Sequence, residues 1–192
     1  MSKSLALRIS LALTGAAAFA TPAAAQSQVE NPGDPWVHVQ TGTQFPAKIG
    51  ALTRQRVTTF TDDGADSGVS YSVEQSDGYM LATVFVYPTI AGSTCDRTFA
   101  SIDQSIRERS PDATILQAPQ AAPSPGGRSQ NGRMATYSMT LKGAPVTSMS
   151  YLYCEASGKW LVAIRASASE GFEFMPYVHQ LGQGIRWPDM LK

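Results

Sequence analysis

A chain of 192 residues with 15 Lys+Arg, 15 Asp+Glu, two His and two Cys carries no formal net charge. The length suits one domain. The balanced charge removes the basic face that nucleic-acid binding requires, and two Cys are too few for a multi-Cys zinc site or an iron–sulfur cluster. At 43% hydrophobic and 16% charged, the composition is that of a folded protein rather than a disordered one.

Residues 1–25 read as a secretory leader. Lys3 and Arg8 form a positive n-region, 9–20 is an apolar run without charge, and Ala23-Ala24-Ala25 offers an A-x-A cleavage site. The mature chain is therefore expected to begin at Gln26. A bilayer span needs about 20 apolar residues, and the run is much shorter, so the leader reading prevails over a membrane anchor. The first cysteine is Cys95, far from the cleavage site, which excludes a lipid anchor on an N-terminal Cys. No later segment is apolar enough to span. The Ala-rich style of the leader is bacterial and points to the periplasm, or to secretion. Loss of Lys3 and Arg8 with the leader turns the zero net charge into a slightly negative one.

Cys95 and Cys154 are the only thiols. In an oxidising compartment they are expected to form one intramolecular disulfide. Two separate buried thiols and a redox-active pair are the alternatives; the latter wants a C-x-x-C spacing, which is absent.

Residues 26–44 carry Pro32, Gly33 and Pro35 with little periodicity and read as a flexible N-terminal arm, with 36–39 as a candidate short docking strand. An ordered domain is expected over 45–192. Strands are predicted at 53–61 and 69–74, where Val69, Tyr71 and Val73 alternate with polar residues, and at 80–87. The first helix, 95–109, has a Ser93 or Thr94 cap, an apolar stripe of Cys95, Phe99, Ile102 and Ile106, and a stop at Pro111. A short strand at 113–117 precedes a Pro- and Gly-rich loop over 118–132. Strands follow at 133–141, 146–155 and 160–168, the last two joined by a hairpin turn. A final helix over 172–186 carries Phe174, Val178, Leu181 and Ile185 on one stripe, Pro176 in its first turn, and Gly182 and Gly184 as weak points.

The order is βββαββββα. Short turns between neighbours make the sheet mainly antiparallel, with about seven strands packed against two amphipathic helices, an α+β class. The strand group 53–87, the helix 95–109, the hairpin 146–168 with Gly158-Lys159-Trp160-Leu161-Val162, and the helix 172–186 together resemble the Mog1/PsbP-like fold over about 140 residues. The wording of the chain is also similar to that of exported bacterial proteins of uncharacterised role. The resemblance lies in topology, so it transfers no functional residue. What it implies is a non-enzymatic accessory or binding domain.

No catalytic motif stands out. There is no G-x-S-x-G, and the histidines, His38 in the arm and His179 in the last helix, lack an H-E-x-x-H context. Both are expected at the surface, with His179 at most half-buried. Asp62, Asp63 and Asp66 suggest a soluble turn rather than a calcium loop, because Gly64 and Val73 stand where ligands are needed. Phosphate-binding glycine motifs are absent, and Gly126-Gly127-Arg128 reads as a loop tip rather than an anion site. Neither a metal nor a cofactor is expected. Tyr71, Tyr79, Phe85, Tyr87, Tyr137, Tyr151 and Tyr153 concentrate on strands with several Met nearby. Tyr151 and Tyr153 share a strand face opposite Cys154, and with Tyr137 they form the candidate binding face. The expected function is that of an exported accessory protein binding an envelope protein partner. Carriage of a small apolar ligand is the second expectation, and an enzyme with an unrecognised site the third.

Overall fold

Alternating apolar residues make the strands, and turn residues join them in antiparallel neighbours. The computed structural model describes residues 26–192; the leader at 1–25 lies outside the described residues. In chain order the elements are β1 (Ser27–Gln28), β2 (Trp36–Val37), β3 (Gln44–Phe45), β4 (Lys48–Ile49), β5 (Leu52–Thr59), β6 (Ser67–Gln75), β7 (Gly78–Pro88), α1 (Cys95–Arg109), β8 (Thr114–Ala122), β9 (Gly132–Leu141), β10 (Ala144–Cys154), β11 (Trp160–Ser169) and α2 (Met175–Gly184), then a single 3-10 turn at Asp189–Leu191.

Among the described residues, nine strands form one sheet in the order β1-β5-β6-β7-β11-β10-β9-β8, with β4 also on β5; β2 and β3 form a separate pair. Every pairing is antiparallel. Two meanders, β5–β7 and β8–β11, meet where β7 pairs with β11. The β9–β10 hairpin shows how local chemistry sets register. Lys142 and Gly143 both take positive φ, 51° and 83°, the twist that a two-residue turn needs to match the twist of its strands. Leu141 is thereby placed opposite Ala144.

The class is the expected mainly antiparallel α+β. The strand count exceeds seven, however, and the order opens with four short strands, of which only β2 coincides with the docking strand expected at 36–39. They come from 26–49, most of which was read as an arm. This segment is docked. Arg54 on β5 donates to the carbonyls of Phe45 (2.6 Å), Gly33 (2.7 Å) and Pro32 (3.2 Å), and Tyr71 donates to Pro46 (2.8 Å). Two other boundaries move. β8 continues to Ala122 through Pro119, which an edge strand tolerates because one side of its backbone needs no partner. α2 is shorter than expected, starting at Met175, with Phe172 and Phe174 buried ahead of it.

Helix α1 begins where Thr94 accepts the Arg97 amide (3.2 Å). It buries Phe99 and Ile106 on one sheet face, against Ala135, Tyr137, Met139, Val146, Leu152, Leu161 and Ala163. Cys95 and Cys154 are disulfide-bonded, which ties the first turn of α1 to the end of β10. The opposite face carries the larger core. Val69, Tyr71, Val84, Met149, Tyr151, Val162 and Ile164 of the sheet meet Phe45, Phe172, Val178, Leu181, Ile185 and Trp187. The N-terminal segment and α2 therefore cover one face, and α1 covers the other. Among the described residues, no helix is long and apolar enough to cross a membrane.

Candidate functional site

The three candidate tyrosines do not share a face. The strand period of two places Tyr151 and Tyr153 toward the α2 side. Tyr137 lies opposite Ser148 in the β9–β10 register and faces α1. All three are buried, so they form no exposed surface. Tyr137 acts as a clamp: its hydroxyl donates to Asp103 of α1 (2.9 Å). Tyr151 donates to the Pro123 carbonyl (2.8 Å). Burial in low dielectric disfavours the phenolate at Tyr151 and Tyr137 and raises both above the ordinary tyrosine range.

One of the three does reach a cavity. Met149, Tyr151 and Ile164, all nearly or fully buried, floor a partly open cleft of about 930 Å3. Met134 extends the floor. Met175, Val178, His179 and Gly182 of α2 form one wall; Ala122 and the loop through Arg128 form the other. The volume lies within the roughly 300–1,000 Å3 of small-molecule sites.

Local chemistry builds each wall. The 123–131 loop is closed on itself by Ser124. Its amide donates to the Ser129 carbonyl (2.7 Å), its carbonyl accepts the Gly127 amide (2.8 Å), and its hydroxyl accepts the amides of Arg128 (3.0 Å) and Ser129 (3.1 Å). The loop tip packs on the end of the chain at Lys192, so closely that a Cβ on Gly126 would stand 3.0 Å from the Lys192 Cα. On the opposite wall, Trp187 donates its indole N–H to the Gly182 carbonyl (2.8 Å), folding the segment after α2 back against the helix. Gly182 faces the Pro125 carbonyl, which a Cβ added there would meet at 3.6 Å.

The rim is cationic. Arg128, Arg186 and Lys192 line the cleft, together with His179, and no Asp or Glu side chain is among the lining residues. Asp189 sits beside it, 2.9 Å from Lys192 Nζ and 3.5 Å from an Arg128 nitrogen. His179 thus lies on a cleft wall, exposed as expected. Ser124, the cleft's nearest candidate nucleophile by type, has its hydroxyl committed to capping the loop.

The other sequence candidates are structural. His38 is fully buried rather than exposed on an arm. Its ring sits edge-on to Trp36 and Trp160. Nδ1 accepts from the Thr41 amide (3.2 Å), which leaves the proton on Nε2 to donate to the Ala65 carbonyl (3.1 Å). Asp63 accepts the Ala65 amide (3.0 Å), a turn-forming bond. The cationic and methionine parts of the cleft escaped the sequence reading, because Met134, Met149, Met175 and Arg186 lie on different elements. The scatter of Met among strand tyrosines was the only signal. Comparison of the chain with known protein families, characterised proteins and solved structures finds no match.

Proposed function

We propose that this protein is an exported binding protein that holds a small, largely apolar ligand in the cleft between α2 and the 123–128 loop. The observation that carries this reading is the floor. Met149, Tyr151 and Ile164 pack in the main core of the sheet, and the same three side chains also line one side of a partly open cleft of about 930 Å3. The cleft is partly open, so water occupies it when no ligand is bound, and an apolar ligand would gain by displacing that water from Met, Ile and Val side chains. Methionines suit the role, since flexible thioethers adapt to ligands of varied shape. The disulfide agrees with an oxidising compartment, and the leader expected at 1–25 assigns the protein to the periplasm.

Titration with the neutral dye Nile red tests the reading. Saturable binding at one site is expected, and Met175→Trp, which fills the cleft from a half-buried wall position, should abolish it. Absence of saturable binding, or equal binding by the filled variant, overturns the proposal. Native mass spectrometry of protein taken from its own periplasm should find a co-purified small molecule.

A protein partner is the second reading. It is favoured by Tyr79 and Leu81, which stand exposed on β7, on the α1 side of the sheet. Photo-crosslinking from position 81 would capture a specific envelope protein if this face is used; a blank result would remove the reading.

A further inference from the structure

We infer that the ligand of this cleft is an amphiphile with an anionic head, of the fatty-acid class, whose head binds Arg128, Arg186 and Lys192 while its tail lies on the Met149–Tyr151–Ile164 floor. The inference rests on the ligand-binding reading above. The chain as a whole balances 15 cationic against 15 acidic side chains. The cleft does not: its lining includes Arg128, Arg186 and Lys192 and no carboxylate side chain.

These cations come from three places in the fold, and each backbone is held. The Arg128 amide is bonded to Ser124 Oγ (3.0 Å). Arg186 exchanges two backbone hydrogen bonds with Gln44, both 3.1 Å. Lys192 packs on Gly126. Asp189 draws Lys192 and Arg128 together, and Arg186 lies outside that pairing. Among the described residues, the Arg186 guanidinium has only the Gln44 amide oxygen, at 3.4 Å. An anionic head entering this rim relieves repulsion among like charges, and guanidinium forks match carboxylate oxygens two at a time. The same rim repels a cationic head, so selectivity comes from attraction and exclusion together. Beneath it, the apolar floor supplies the burial that a chain of methylenes needs.

Calorimetric titration of the full mature chain at low ionic strength, with dodecanoate, methyl dodecanoate and dodecyltrimethylammonium below their micellar concentrations, tests this. Dodecanoate is expected to bind about ten-fold more tightly than the ester, equivalent to roughly 1.4 kcal/mol, and the trimethylammonium compound most weakly. Salt should erode the preference. The combined variant Arg128→Gln, Arg186→Gln, Lys192→Gln should abolish it. Arg186→Gln alone, at an exposed position, should remove part of it and guards against a folding defect in the combined variant. Equal binding of ester and carboxylate, a preference that survives the combined variant, or binding of Nile red without any dodecyl probe overturns the inference and leaves the ligand-binding reading standing. Failure of every probe, Nile red included, removes both.

Discussion

The hydroxyl of Tyr151 donates to the carbonyl of Pro123 across 2.8 Å, joining the floor of the cleft to the loop that forms its wall. One hydrogen bond therefore couples a core strand to the element that shapes the site. Tyr151→Phe should leave the floor packed but release the loop. A cost of about 1–2 kcal/mol in denaturant unfolding is expected, from a carbonyl that loses its partner. Faster hydrogen exchange at the amides of Gly127, Arg128 and Ser129 would show where the effect falls; unchanged exchange there would separate the loop from Tyr151.

The disulfide closes a loop with a sequence separation of 59. The chain-entropy model gives it about 4 kcal/mol. The Cys95→Ser, Cys154→Ser double variant should lose stability of that order, read from the urea midpoint. Thiol labelling of the oxidised, unfolded protein should find no free thiol. Two free thiols would contradict the pairing.

Two glycines of α2 should respond to alanine in opposite directions. At Gly182 the nearest neighbour of an added Cβ is the Pro125 carbonyl at 3.6 Å, an ordinary contact. Gly182→Ala should stabilise by about 0.5–1 kcal/mol through helix propensity. At Gly184 the added Cβ runs into the Ile49 side chain, with Cβ and Cγ1 both 3.1 Å away and Cγ2 nearer still. Ile49 is buried and cannot swing aside, so Gly184→Ala should destabilise by about 1–3 kcal/mol. Urea midpoints at constant slope decide both signs.

His38 links stability to pH. Burial disfavours its charged form and lowers its pKa from the ordinary 6.5, and this outweighs the opposing backbone hydrogen bonds and the charge of Asp63. The folded state thus binds fewer protons at this ring than the unfolded state. The stability it contributes is complete above about pH 6.5, and is lost as pH falls from there toward the lowered value. Between pH 7 and 5, wild-type stability should decline in part through this ring. His38→Gln, less stable at pH 7, should show a shallower decline. Parallel pH profiles for the two proteins would show that the His38 pKa is the same in the folded and unfolded chains.

The periodicity of individual segments carried much of the fold. The α1 stripe of Phe99 and Ile106, the alternation of Val69, Tyr71 and Val73, and the hairpin before Trp160 all report local preferences that the tertiary structure keeps. The Cys95–Cys154 pair was legible because only one intramolecular partner existed. The segment before Phe45 was not, because nothing periodic marks it. Its order comes from long-range bonds, from Arg54 to three carbonyls and from His38 to Ala65.

The candidate face shows the same division. Period-two alternation correctly separated Tyr151 and Tyr153 from Cys154 within β10. It could not say that Tyr137, on the neighbouring strand, faces the other way, because that depends on register, and register was set by the Lys142–Gly143 turn. By itself, the sequence determined the fold class, the disulfide and the side of each strand that is apolar, since these follow from spacing along one chain. Only the tertiary structure brought Met134, Met149, Met175, Arg128, Arg186 and Lys192 around one cleft. Residues tens of positions apart meet there through sheet order and the packing of α2, and no local pattern encodes where those elements end in space.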